Sequence, residues 1–143
     1  MPTQGISVAL AKTVGQIVPT NLVKFREDQS GMAIATELLT HYMPGGVVVN
    51  ESDELMGFIS EFDLIKALDE GKDLHTLTAK NLMVTDRISI EDSASIQEAI
   101  NVMKHHRLLN LPVEHNGKVV YTITRHDLLR AWIGAGNRKK GGT

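Results

Sequence analysis

Two short stretches of this chain place a hydroxyl three residues ahead of a carboxylate: Ser60-Glu61-Phe62-Asp63 and Thr124-Arg125-His126-Asp127. Each follows an apolar run and opens a helical pattern, so the hydroxyl falls at a strand end and the Asp in the first turn of a helix. The free N–H groups and partial positive charge of that end suit a phosphate or a ligand carboxylate. The Asp can accept hydrogen bonds from both hydroxyls of a ribose. The plainer reading makes Ser60 and Thr124 simple N-caps. A single copy would favour the plain reading, whereas two copies at matched positions favour a ligand. The copies differ in charge. Arg125 and His126 bring positive charge to the second, which is therefore expected to be the better ligand site, while Glu61 would repel a phosphate at the first.

Other reactive chemistry is thin. Ser60 has no Gly-x-Ser-x-Gly context and no histidine set beside it, so nucleophilic catalysis lacks its base and orienter, and no enzyme is expected. His105-His106-Arg107 invites a metal check, but adjacent helical residues face apart and no carboxylate partner is near, so the pair reads as solvated. Glu27, Asp28 and Asp92 read as loop acids. Met32, Met43, Met56, Met83 and Met103 read as packing residues. With no cysteine, thiolate metal sites and disulfides are excluded.

The elements that must position these residues come as an internal repeat. With Thr20 laid on Thr85, Ile17-Val18 meets Leu82-Met83 and Leu22–Phe25 meets Arg87–Ile90. One residue closer, Ala35 meets Ala99, Val47–Val49 meets Leu111–Val113, and Ser60–Asp63 meets Thr124–Asp127. Each half reads as strand, helix, strand, strand, helix. The first strands are expected at Leu22–Phe25 and Arg87–Ile90. The first helix of the second half carries Ile96, Ala99, Ile100 and Met103 on one face, with Ser93 or Ser95 as its cap and Glu98 placed for a capping box with Ser95. Its counterpart is expected from about Ser30 to Tyr42. Hairpins follow, one around Asn116-Gly117, whose residues tolerate positive φ, and one around the polar loop Asn50–Glu54. Closing helices are expected at Phe62–Leu68 and His126–Ile133. The expected division is a first repeat at 1–73 and a second at 74–143. The class is α/β (α+β), two β-α-β-β-α repeats packed about a pseudo-twofold axis, since about 60 residues alone bury too little core.

Over 143 residues the chain is 42% hydrophobic and 22% charged, a globular balance. Fifteen Lys and Arg against seventeen Asp and Glu leave −2, with no footprint for nucleic acid or an anionic membrane. The apolar stretch Gly5–Val23 is broken by Lys12, Gln16 and Pro19 and reads as neither a signal peptide nor a span. A cytoplasmic protein is expected. Gly136–Thr143, with Arg138, Lys139 and Lys140, is expected to be a frayed, solvated tail.

In combination these residues resemble the cystathionine-β-synthase-type (CBS) domain family. Thr13–Val18 and Thr78–Met83 look like its lead-in segments, Leu111-Pro112-Val113 like its second strand, and Gly57–Ile65 and Tyr121–Leu129 like two copies of its strand–turn–helix signature. The resemblance runs from about Lys12 to Ile133. It implies a tandem pair, or Bateman module, with two clefts that take AMP, ADP, ATP or S-adenosylmethionine, no required cofactor or metal, a homodimer, and regulation of an effector protein. It assigns Asp127 to the ribose and Thr124 to the phosphate, in a cleft also lined by Thr20, Val23, Gly45 and Asn110. Thr85 and Ile88 take the matching roles around Ser60 and Asp63.

Departures weaken the phosphate side. Where family members often carry His or Arg before the second strand, this chain has Leu109-Asn110 and Gly45-Gly46, so no guanidinium is placed for a bidentate pair. Tyr121 stands where the first copy has Gly57. The alternative is therefore a structural, dimerising module with empty clefts. Leu64, Leu68, Leu129 and Trp132 on the closing helices supply apolar surface for such a dimer.

Overall fold

The computed structural model describes residues 12–20 and 22–134. The N-terminal part of the apolar stretch and the expected basic tail lie outside them. Both repeats take the expected element order. The first has β1 (Phe25–Arg26), α1 (Gly31–Thr40), β2 (Gly45–Val49), β3 (Leu55–Ser60) and α2 (Glu61–Asp69). After a short helix α3 (Ala79–Leu82), the second has β4 (Ile90–Glu91), α4 (Ile96–His106), β5 (Asn110–His115), β6 (Lys118–Thr124) and α5 (Arg125–Trp132). Three-stranded sheets run in the orders β1-β2-β3 and β4-β5-β6. This mixed α+β class is the one expected. No helix among the described residues is long and apolar enough to cross a membrane.

The described chain forms two compact units. One holds 12–20, Leu22, 89–116 and 120–134; the other holds 23–88 and 117–119. Each lead-in segment is anchored inside its unit. In the first, Val14 and Gly15 donate to the carbonyls of Ala94 and Asp92 at 2.8 Å. In the second, Gly31 donates to Leu77, and Phe58 and Val84 exchange backbone bonds at 2.8 Å. Gly57 is required there, because a Cβ would be driven into the Val84 carbonyl.

In the second unit, β1 runs parallel to β2, with Phe25 beside Val48, and β2 runs antiparallel to β3, with Gly45 opposite Ser60. Val48 joins Phe25, Ile34, Leu38, Ile59 and Leu64 on one face of the sheet. Val47 and Val49 join Leu55 and Val119 on the other, so all three valines are fully buried. Met43, Met56 and Met83 pack against the first cluster, as expected of gap-filling side chains. The turn between β5 and β6 is as expected: Asn116 (φ 53) and Gly117 (φ 78) both take the left-handed region.

The polar loop Asn50–Glu54 is built around Asp53, itself at φ 62. Its carboxylate takes Lys24 at 3.3 Å and Arg26 at 3.0 Å, and its carbonyl accepts from Val119 at 2.8 Å. The hydrogen bond and charge of Lys24, aided by Arg26, hold the Asp53 carboxyl below the usual range. A depressed carboxyl stabilises the fold above its unfolded pKa and loses that contribution as pH falls through the folded value. Asp53→Asn, which keeps the left-handed backbone accessible, is therefore expected to melt below wild type at pH 7. Melts down to pH 3 should show the gap closing; a constant gap would exclude the ion pairs as its source.

Candidate functional site

Both hydroxyl–carboxylate motifs fold as the spacing requires. An extended strand end carries the N-cap, Ser60 at φ −127 and Thr124 at φ −114, and the Asp occupies the third helical position. Asp63 donates its N–H to Ser60 Oγ at 3.2 Å, while its Oδ2 accepts from Ser60 N–H at 2.8 Å and Ser60 Oγ at 3.0 Å. Asp127 donates its N–H to Thr124 Oγ1 at 3.1 Å, and its Oδ2 accepts from Thr124 N–H at 3.0 Å.

A capping box alone says nothing about ligands. Ser95 with Glu98 builds the same box, and Gln16 and Asn81 make its reach-back half by accepting from the N–H groups of Thr13 and Thr78. The two Asp residues differ from these, and from each other, in the second carboxylate oxygen. Oδ1 of Asp127 accepts from both the backbone N–H (3.2 Å) and the hydroxyl (2.9 Å) of Thr20, and the residue is 1% exposed. Oδ1 of Asp63 has no donor among the described residues, and Asp63 stays partly exposed. Thr85, the counterpart of Thr20, is exposed and makes no bond to Asp63 among the described residues.

The site residues named from the sequence divide between the units. Thr20, Asn110, Thr124, Arg125, His126 and Asp127 lie in the first. Arg125 and His126 are exposed and Asn110 half-buried. Val23, Gly45, Ser60, Asp63, Thr85 and Ile88 lie in the second. Within it, Gly45 sits directly against the Ser60 end of β3, where a Cβ would strike the Ile59 carbonyl. The apolar-to-glycine contrast at Tyr121 also has a physical account. Tyr121 is 8% exposed and its hydroxyl donates to the Val14 carbonyl at 3.0 Å, tying the lead-in segment down by a side chain. Gly57 achieves the equivalent tie by backbone approach.

One expectation is corrected. His105 and His106 do not face apart: their rings meet edge to face with centroids 4.7 Å apart. The 100° between neighbouring Cβ directions on a helix still lets two exposed rings converge at their tips. Among the described residues, no group of three or more His, Cys, Asp or Glu is assembled for a metal ion.

Comparison with known proteins places this geometry. An uncharacterized protein of Methanopyrus kandleri is 30% identical over 82% of this chain, and the chain spans 61% of that protein. Hypoxic response protein 1 of Mycobacterium tuberculosis, whose crystal structure holds two coordinated zinc ions, is 28% identical with a TM-score of 0.74; the match covers 82% of this chain and 97% of that one. CBSX2, solved in complex with AMP, shares the fold with a TM-score of 0.71 at 22% identity, covering 85% of this chain and 96% of its own. The CBS domain profile matches residues 14–70 and again 79–134, and the chain belongs to the CBS domain family as a tandem pair.

Proposed function

We propose that this chain is a non-catalytic regulatory module that binds an adenosine-containing ligand and relays its occupancy to a partner protein. Its repeats divide as 1–73 and 74–143. The observation that carries the reading is the open Oδ1 of Asp63. It is an ionisable acceptor held at a strand end by the Ser60 box, with no protein donor among the described residues. Vicinal ribose hydroxyls supply the missing donors. The AMP complex of CBSX2 supports the ligand class.

Local charge narrows the ligand. Glu61 stands beside Ser60, and Gly45-Gly46 offers no cation. The Ser60 side, with Gly45, Thr85 and Ile88, suits an adenosine ligand of low negative charge, such as S-adenosylmethionine or AMP, over ATP. The Thr124 side has Arg125 and His126 for phosphate, with Thr20 and Asn110, but its carboxylate must first leave Thr20. A thermal-shift panel of AMP, ADP, ATP, S-adenosylmethionine and NAD tests the reading. A ligand at a hundredfold excess over Kd is expected to stabilise by about 2.7 kcal/mol. No shift with any of them at millimolar concentration would leave the empty, dimerising module as the better account.

The same module is proposed to be a homodimer. Leu64 is absorbed by its own core at 5% exposure, but Leu68 (55%), Leu129 (62%) and Trp132 (57%) are not, and Phe62, Ile65 and Ile133 extend the exposed apolar faces of α2 and α5. Light scattering is expected to give twice the chain mass, and Leu129→Asp with Trp132→Glu to give the monomer. Wild type remaining monomeric up to millimolar concentration would refute the dimer.

A further inference from the structure

In the first unit, α4, the turn after it and α5 line an open groove of about 420 Å3, of whose residues only Arg125 also figures in the adenosine chemistry. Its floor is apolar, with Met103 and Leu128 buried and Leu108 half-buried. Its rim carries three cations, Lys104, Arg107 and Arg125. All three are exposed, and none enters an ion pair with a described carboxylate.

Three cations at one mouth, in a chain whose net charge is −2, give this groove a local positive field that attracts an anion. Lys104 and Arg107 gain something from the carbonyl end of α4, but Arg125 is the first residue of α5, where the dipole opposes a cation. The lining contains no Ser, Thr, Asn, Gln, Asp or Glu. No oxygen-bearing side chain there can accept a hydrogen bond from a sugar hydroxyl or a base amino group. The size falls in the range of small-molecule sites.

We propose that this groove is a separate site for a small organic anion whose charged head is joined directly to a hydrocarbon body, of the medium-chain carboxylate class. The head meets the guanidinium and ammonium groups, and the body lies on Met103, Leu108 and Leu128. The site shares only Arg125 with the proposed nucleotide cleft, and does not depend on that cleft being real.

Calorimetry on the full chain tests it, with octanoate as the probe and acetate, inorganic phosphate and octan-1-ol as controls. Octanoate is expected to bind saturably, octan-1-ol at least about tenfold more weakly, and acetate and phosphate not measurably at the same concentrations. Arg107→Asn, chosen because Asn tolerates the left-handed backbone that Arg107 adopts at φ 53, and Lys104→Gln should each weaken octanoate about tenfold, the loss of one charge-assisted contact. Neither residue belongs to the nucleotide cleft, so the AMP response of both variants should match wild type. The site is refuted if octanoate does not bind, if octan-1-ol or phosphate binds as well, or if both variants bind octanoate normally.

Discussion

Asp127→Ala is expected to lower stability by about 3 kcal/mol, or about 10 °C in Tm for a chain of this size. The carboxylate is buried and satisfies three donors: the Thr20 N–H, the Thr20 hydroxyl and the Thr124 N–H. Alanine removes the acceptor and leaves the Thr20 and Thr124 backbone donors without it. An unmade bond in a buried place costs more than a made one gains. The loss also frees the lead-in segment, because Thr20 is bonded through Asp127 to the start of α5. Thr20→Val, which deletes only the hydroxyl bond, should cost about 1 kcal/mol. Asp127→Asn should fall between them, since the amide can keep one oxygen on Thr20 only by turning its NH2 toward the Thr124 N–H. Thermal or urea melts of the three variants check the order. If Asp127→Ala melts with wild type, the carboxylate is not structural, and its contact with Thr20 contributes nothing.

The contrast between Asp63 and Asp127 marks where the sequence stops being legible. Short-range chemistry reads well. Asn116-Gly117 takes its positive φ pair, Ser95 and Glu98 close their box, and the Ser60 and Thr124 boxes form at the predicted spacing. Each of these is decided by three or four neighbouring residues. The first strands read less well. They were expected at Leu22–Phe25 and Arg87–Ile90, but pairing begins only at Phe25 and Ile90, because β2 and β5 offer two partners each. The Ala79–Leu82 helix and the 3-10 turn at Val14–Gln16 are too short for any periodicity. The resemblance placed Thr20 in the same cleft as Asp127. No local pattern could say that Thr20 would take up the carboxylate, since the two meet across more than a hundred residues of chain.

That difference sets the second large effect, on binding. Asp63→Ala is expected to weaken AMP or S-adenosylmethionine by about tenfold to a hundredfold, the loss of one or two charge-assisted bonds to the ribose hydroxyls. The fold should survive, because Asp63 is only partly exposed capping chemistry whose removal costs about 1 kcal/mol. Asp63→Asn keeps an oxygen at the position of Oδ1 and should recover part of the affinity. Glu61→Gln removes the charge beside Ser60 and should tighten AMP while leaving S-adenosylmethionine, with its cationic sulfonium, unchanged or weaker. Asp127→Ala, titrated well below its melting temperature, should bind nearly as wild type if the ribose lies on Asp63. The charge of Arg125 and His126 argues for the opposite ranking, and calorimetry separates the two. Binding that survives Asp63→Ala but disappears with Asp127→Ala would mean that the ligand displaces Thr20 and takes the phosphate-friendly side. Glu61→Gln adds a readout that protein stability does not control, because Glu61 is exposed and joins no ion pair among the described residues. A change in the ratio of AMP to S-adenosylmethionine affinity on that substitution alone would place the ligand's charged end beside Ser60.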